Sequence, residues 1–366
     1  MNTSPLIPLP IAAQRGEGNY QTARRAVPTI ATRYLVAYAA CAMLLLASLV
    51  TSTPTFAQFN FFDPALLAGK VAGPAAGTNY FVIPTGTGNG QVKEPSGLAV
   101  DDAGNLYVVD VGNSRIEKFD SSGNYLLQWG SHGSGNGQFN FYNIEPIGIA
   151  VSGTNVYVAD NSNYRIQKFD TSGNYLLQFG GYGSGNGPAA GNGLFDLVSG
   201  LAVSGTNVYV ADYWNHRVER FDTGGAYLSQ WGDYGSGNGQ FSYPIGLAVS
   251  GANVFVVEGG GLRVQKFDAT GTYISQFTDA AWWYPVAIAV DASANVYVAD
   301  YFGANADALS EYDSTGTVLG RWNSYTGSPG TFNEVFGLAL YQTGTTTDLW
   351  MSDNDNNVVV EIQIVK

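Results

Sequence analysis

A segment of about fifty residues recurs along this chain, and no other feature limits the fold as strongly. Three copies run from Ser96 to Gly130, Ile147 to Gly180 and Ser199 to Gly232 and are nearly identical. A fourth covers Pro244 to Phe277, a more divergent fifth Pro285 to Trp322, and a sixth opens at Val335 and runs to the chain end. The residues opening the copies are Gly97, Gly148, Gly200, Gly246, Ala287 and Gly337, so the steps are 51, 52, 46, 41 and 50 residues. A unit this short cannot bury its own apolar face, and stacking on its neighbours is what hides it.

Within the first copy, the runs Gly97–Val100, Leu106–Val109, Arg115–Phe119 and Tyr125–Trp129 are rich in β-branched and aromatic residues and are separated by Gly, Asn and Asp. Charged residues make up 12% of the chain, too few for long solvated helices, whereas 47 glycines and 13% aromatics supply turns and strand formers. The pattern predicts an all-β fold: a six-bladed β-propeller of four-stranded antiparallel blades. The sixth copy holds only three strands, ending with Val358–Val365. Its fourth is read in Asn79–Ile83, because the stretch from Gly77 repeats the pattern that begins at Gly123. An N-terminal strand is thus expected to complete the last blade and close the ring. The domain reading is residues 1–57 as a targeting segment, 58–76 as a linker and 77–366 as the propeller.

Each strand-two to strand-three turn carries one motif. It reads Asp110, Asn113, Arg115, Ile116, Lys118, Phe119 in the first copy and Asp160, Asn163, Arg165, Ile166, Lys168, Phe169 in the second. The third has Asp212, Asn215, Arg217, Val218, Arg220, Phe221. The fourth keeps Arg263, Val264, Lys266 and Phe267 but has Glu258 and Gly261 at the Asp and Asn places; the fifth keeps only Asp300, the sixth Asp353 and Asn356. In this motif the chain resembles the NHL-repeat family of β-propellers, over residues 77 to 366. Recurrence argues that the Asp and Arg brace a hairpin, since a catalytic set is single and asymmetric. The inner series Tyr107, Tyr157, Tyr209, Phe255, Tyr297, Trp350 and the outer series Trp129, Phe179, Trp231, Phe277, Trp322 read as blade-to-blade packing.

The first 57 residues have another character. Arg15, Arg24, Arg25 and Arg33 precede the uncharged apolar run Tyr34–Val50, and Thr55-Phe56-Ala57 stands before Gln58. This reads as an export signal cleaved after Ala57, or as a membrane anchor over residues 34–57 if uncleaved. Either way the propeller is expected outside the cytoplasm: secreted, periplasmic or on the cell surface. Residues 58–366 hold 12 Lys and Arg against 28 Asp and Glu, a net charge of −16. Nucleic acid is excluded as a partner, because phosphate binding needs a basic face.

Function is sought where the copies differ, on the face built by the strand-two to strand-three turns and the blade-to-blade connections. The candidate ligand-binding aromatics there are Tyr142, Tyr182, Tyr213, Trp214, Tyr234, Trp282, Trp283, Tyr284, Tyr301 and Phe302. Rings beside Asn and Gly suit a polysaccharide or a protein partner. Trp282 and Trp283 are adjacent, so at most one is expected in the core. The reading is a non-catalytic, monomeric binding scaffold without cofactor or metal. Its alternative is a metal-dependent lyase or lactonase of the six-bladed type, which the resemblance leaves open. Two histidines, His132 and His216, cannot form a three-histidine zinc site, and Cys41 is the only cysteine.

Overall fold

Strands form where short β-branched and aromatic runs meet Gly, Asn and Asp turns, and the computed structural model describes residues 82–142, 146–301, 309–322, 332–344 and 346–365. From inner to outer strand, the first blade is Pro95–Val100, Leu106–Asp110, Arg115–Phe119 and Tyr125–Trp129. The second is Ile149–Ser152, Asn155–Asp160, Arg165–Asp170 and Tyr175–Gly180, and the third Val198–Ser204, Asn207–Asp212, Arg217–Asp222 and Tyr227–Trp231. The fourth is Pro244–Ser250, Asn253–Glu258, Arg263–Asp268 and Tyr273–Thr278, and the fifth Pro285–Val290, Val296–Asp300, Leu309–Tyr312 and Val318–Trp322. The sixth comprises Val335–Thr343, Thr346–Asp353 and Val358–Val365, with Val82–Ile83 as its outer strand. All six sheets are four-stranded and antiparallel, a six-bladed β-propeller.

Val82 and Ile83 pair with Val360 and Val359. The rest of the expected closing strand, residues 79–81, lies outside the described residues. So do the proposed signal or anchor over 1–57, the linker over 58–76, and Phe302. Among the described residues, helix is confined to three short 3-10 turns, and no helix is long and apolar enough to cross a membrane.

Each inner strand packs on the inner strands of both neighbouring blades, and the first blade's packs on the sixth's, so the six sheets form a closed ring. The register between inner and second strand slips at the opening Gly in the first, third, fourth and sixth blades, a bulge in the inner strand. Backbones there approach so closely that a Cβ on Gly97 would lie 2.0 Å from the Ile147 carbonyl oxygen, and one on Gly200 2.2 Å from that of Ile245. The repeating Gly is therefore a demand of the axis, and the space left there is about 60 Å³.

Aromatic side chains join the blades radially. Tyr107, Tyr157, Tyr209, Phe255, Tyr297 and Trp350 are at most 1% exposed. The hydroxyls of Tyr157 and Tyr209 donate across to the Thr223 and Ala269 carbonyls of the following blade at 3.3 and 3.1 Å. Farther out, Trp129 meets Phe169 at 5.8 Å between centroids, Phe179 meets Phe221 at 4.8 Å, Trp231 meets Phe267 at 5.8 Å and Phe277 meets Tyr312 at 5.1 Å. Pairs of this kind contribute about 0.5–1.5 kcal/mol beyond burial. The same four rings lie over Gly173, Gly225, Gly271 and Gly316, whose φ values of 82° to 93° already favour glycine.

Candidate binding face

The repeated Asp and Arg hold the face together through their mutual bonds. Arg115 Nε donates to Asp110 at 2.7 Å, Arg165 to Asp160 at 2.7 Å and Arg217 to Asp212 at 3.0 Å, while Arg263 meets Glu258 at 2.6 Å. The structure extends this brace beyond the hairpin, to the connection arriving from the preceding blade. The remaining guanidinium hydrogens reach its carbonyls: Arg115 those of Thr87, Gly88 and Gln91, Arg217 those of Gly187 and Leu194, Arg263 those of Ser236 and Gln240. The carboxylates take its amides, Asp110 from Lys93 at 2.8 Å, Asp160 from Asn140 at 2.8 Å and Asp212 from Asp196 at 3.1 Å. Asn113, Asn163 and Asn215 donate to the carbonyls of Gly86, Gly133 and Gly183. Fixed backbone polar groups of a glycine-rich loop are thereby satisfied where water is scarce.

Two residues beyond each Arg stands a further acceptor, Glu117, Gln167, Glu219 or Gln265. Gln167 and Gln265 accept from Gly137 and Gly239 and donate to the carbonyls of Gln138 and Gln240. Glu219 accepts from Gly193 but, when ionised, has no hydrogen to return. Burial pushes Glu117 and Glu219 up to about 7 and Asp212 up to about 6, the adjacent arginine offsetting this only in part. A carboxyl raised in the folded state stabilises fully below its ordinary value near 4.5, and that contribution is lost as pH rises through about 7. Thermal unfolding is therefore expected to occur at a higher temperature at pH 5 than at pH 8. Glu219→Gln, which installs the second and fourth blades' own residue, is expected to add on the order of 1 kcal/mol at pH 8 and to flatten this dependence. An unchanged pH slope in the variant would overturn the assignment.

The residue before each clamped amide is Val92, Phe139, Phe195, Phe241, Trp282 or Phe332, and all six are at most 5% exposed. Trp282 packs at 5.8 Å from Phe277 and 5.5 Å from Tyr312. It is thus a plug between blades and is removed from the candidate ligand-binding set. Trp283, whose amide meets Asp300, is 70% exposed. The pair divides as the adjacency implied, although it sits in a turn and not a strand.

Tyr213 and Tyr284, 3% and 8% exposed, also leave the set. Their hydroxyls meet at 2.7 Å, and both rings pack into one cluster with Ile245, Val286 and Val335 of the inner strands. Each stands at the end of an inner or second strand, where a large ring is drawn into this cluster instead of facing solvent. Tyr301 is half-buried, stacked on Phe336 at 5.4 Å.

Five candidates remain exposed: Tyr142 at 54%, Tyr182 at 60%, Trp214 at 44%, Tyr234 at 57% and Trp283. Among the described residues these are all the exposed Tyr and Trp, and all lie on this one face. Two of them flank a pair of rings that spacing alone did not single out. His216 lies 4.8 Å from both Tyr234 and Tyr243, and Trp214 meets Tyr243 at 5.5 Å. The Tyr243 amide donates to His216 Nδ1 at 3.2 Å, and burial lowers the histidine's pKa, so the ring is neutral with its proton on Nε2. His216 has φ of 54°, and the same left-handed turn position is taken by Ser114, Tyr164, Leu262 and Asn357.

The NHL-repeat family model matches residues 93–119, 144–169 and 195–221, each span running from the clamped connection through the second and third strands. The chain is an NHL-repeat β-propeller. No curated protein matches the sequence. Among solved structures, a gluconolactonase from Xanthomonas campestris is similar with a TM-score of 0.55 at 17% identity, over 74% of this chain and 86% of that one. A virginiamycin B lyase from Staphylococcus aureus gives 0.52 at 10% identity, over 78% and 100%. A streptogramin B lyase gives 0.51 at 13% identity, over 79% and 98%. Identities this low establish the shared propeller fold of this NHL-repeat chain and nothing about its chemistry.

Proposed function

We propose that this NHL-repeat propeller is a non-catalytic binding protein that acts outside the cytoplasm on a polysaccharide of the cell envelope or extracellular space. The observation that carries the reading is the restriction of every exposed Tyr and Trp among the described residues to one face. A monomeric protein has no folding reason to concentrate its wet aromatic rings there, and such surfaces mark recognition. The rings come from the connections after the first, second, third and fourth blades and from the third blade's own turn. Protein hot spots gather at one centre, so a spread of rings among Gly and Asn turns suits a long repeating ligand better. The axial space of about 60 Å³ is far below the roughly 300–1,000 Å³ of small-molecule pockets, which weighs against a substrate held on the axis. The location rests on the arginine-led apolar segment before Gln58, and the acidic charge disfavours polyanions.

The test is binding of the purified protein to an array of envelope polysaccharides and peptidoglycan fragments, beside a Trp214→Ala/Trp283→Ala variant. Saturable binding that falls at least tenfold in a variant of unchanged melting temperature is the expected result. Absence of binding by folded protein, with recovery of a specific protein partner instead, would overturn the glycan reading.

A further inference from the structure

The clamp of the second blade lacks one bond that its sisters make. Arg217 Nη1 donates to both the Gly187 carbonyl and Gln230, and Arg263 Nη1 to both the Ser236 carbonyl and Gln276. Arg115 Nη1 reaches the Thr87 carbonyl. Ser134 is the residue equivalent to Thr87 and Ser236, yet among the described residues Arg165 Nη1 donates only to Gln178, at 2.5 Å. Its second hydrogen meets no acceptor among the described residues. Beside this guanidinium lies a cleft of about 340 Å³, lined by Ser134, Asn163, Arg165, Gln178, Phe179, Gly180 and Gly181.

We propose that this cleft is a subsite for one neutral sugar unit, a hydroxyl of which bridges Arg165 Nη1 and Ser134. This rests on the glycan reading above and names where one residue of the chain would sit. A hydroxyl both accepts and donates, so it can take the guanidinium hydrogen and return its own to the Ser134 carbonyl or side-chain oxygen. Gln178 gives its amide oxygen to Arg165, leaving its amide hydrogens for a second sugar oxygen. The volume is at the low end for a pocket, suiting one ring and not several. Arg165 is 8% exposed and held by Asp160 at 2.7 Å, which fixes its direction and cancels its charge. In a chain of net charge −13, that neutral floor favours an uncharged sugar over a uronic acid.

The experiment titrates the full chain with methyl glucopyranoside, methyl galactopyranoside and methyl glucuronide, read by saturation-transfer NMR and calorimetry. Ser134→Trp fills the cleft mouth from an exposed turn without replacing a clamp side chain, and Gln178→Ala, on the exposed outer strand, removes the second contact. Saturable binding of a neutral glycoside, weakened at least tenfold in Ser134→Trp and severalfold in Gln178→Ala at unchanged melting temperature, is expected. Glucuronide preferred over both neutral glycosides, or equal binding in folded variants, would overturn the subsite. Polysaccharide binding lost in the Trp214→Ala/Trp283→Ala variant but intact in Ser134→Trp would overturn the subsite alone and leave the face reading standing.

Discussion

Replacing Arg217 by alanine is expected to lower the unfolding free energy by about 3–5 kcal/mol, the scale for leaving a buried charge without its partner. Arg217 is wholly buried and stands between Asp212 and Glu219, both also wholly buried. Its loss removes the hydrogen bonds to the Gly187 and Leu194 carbonyls, so the connection from the second blade is released along with the carboxylates. Arg217→Lys should rescue little, because an ammonium cannot present the planar fork that reaches a carboxylate and two carbonyls together. Arg217→Ala combined with Glu219→Gln should recover part of the loss, since one of the stranded charges is gone. Urea unfolding of the four proteins at one pH decides it. A cost below about 1 kcal/mol for Arg217→Ala would mean that the clamp is incidental to the ring.

Much of this architecture is legible in the sequence because a blade's chemistry is local. Leu106–Val109 and Arg115–Phe119 announce their strands through β-branched residues and bounding turns, and the observed bounds differ by a residue at most. The Asp, Asn and Arg of the motif pair within five residues, so their structural role is readable from spacing. What the sequence does not display is set by contacts across blades. Trp282 looks like a loop aromatic because its connection lacks the Gly-Asn-Gly run that introduces Phe139 and Phe241, yet it fills the same plug. Tyr213 and Tyr284 are withdrawn by a hydrogen bond spanning 71 residues. The cleft beside Arg165 is hidden for the opposite reason: the second copy's motif is written like the first's, and only the acceptor taken by the arginine Nη1 differs.

The axial glycines give a graded test of how the ring is held. A Cβ would lie 2.0 Å from a backbone oxygen at Gly97, 2.2 Å at Gly200, 2.3 Å at Gly337 and 2.5 Å at Gly148, but 2.9 Å at Gly246. Backbone cannot step aside as a flexible side chain can, so each alanine must push two inner strands apart, a strain of the kind that costs about 1–3 kcal/mol in packed cores. Gly97→Ala and Gly200→Ala are expected at or above the top of that range and Gly246→Ala near the bottom. The fifth blade carries Ala287, 6% exposed, at this position, so the natural chain accommodates one methyl there. Ala287→Gly should accordingly change stability by less than about 1 kcal/mol, the cost of glycine's added freedom in the unfolded chain. Chemical unfolding midpoints ranked in the order of the clash distances would tie the repeat's most regular residue to closure of the ring. An equal, small effect at all five glycines would mean that the inner strands move apart freely, and the axis would then be open to a ligand after all.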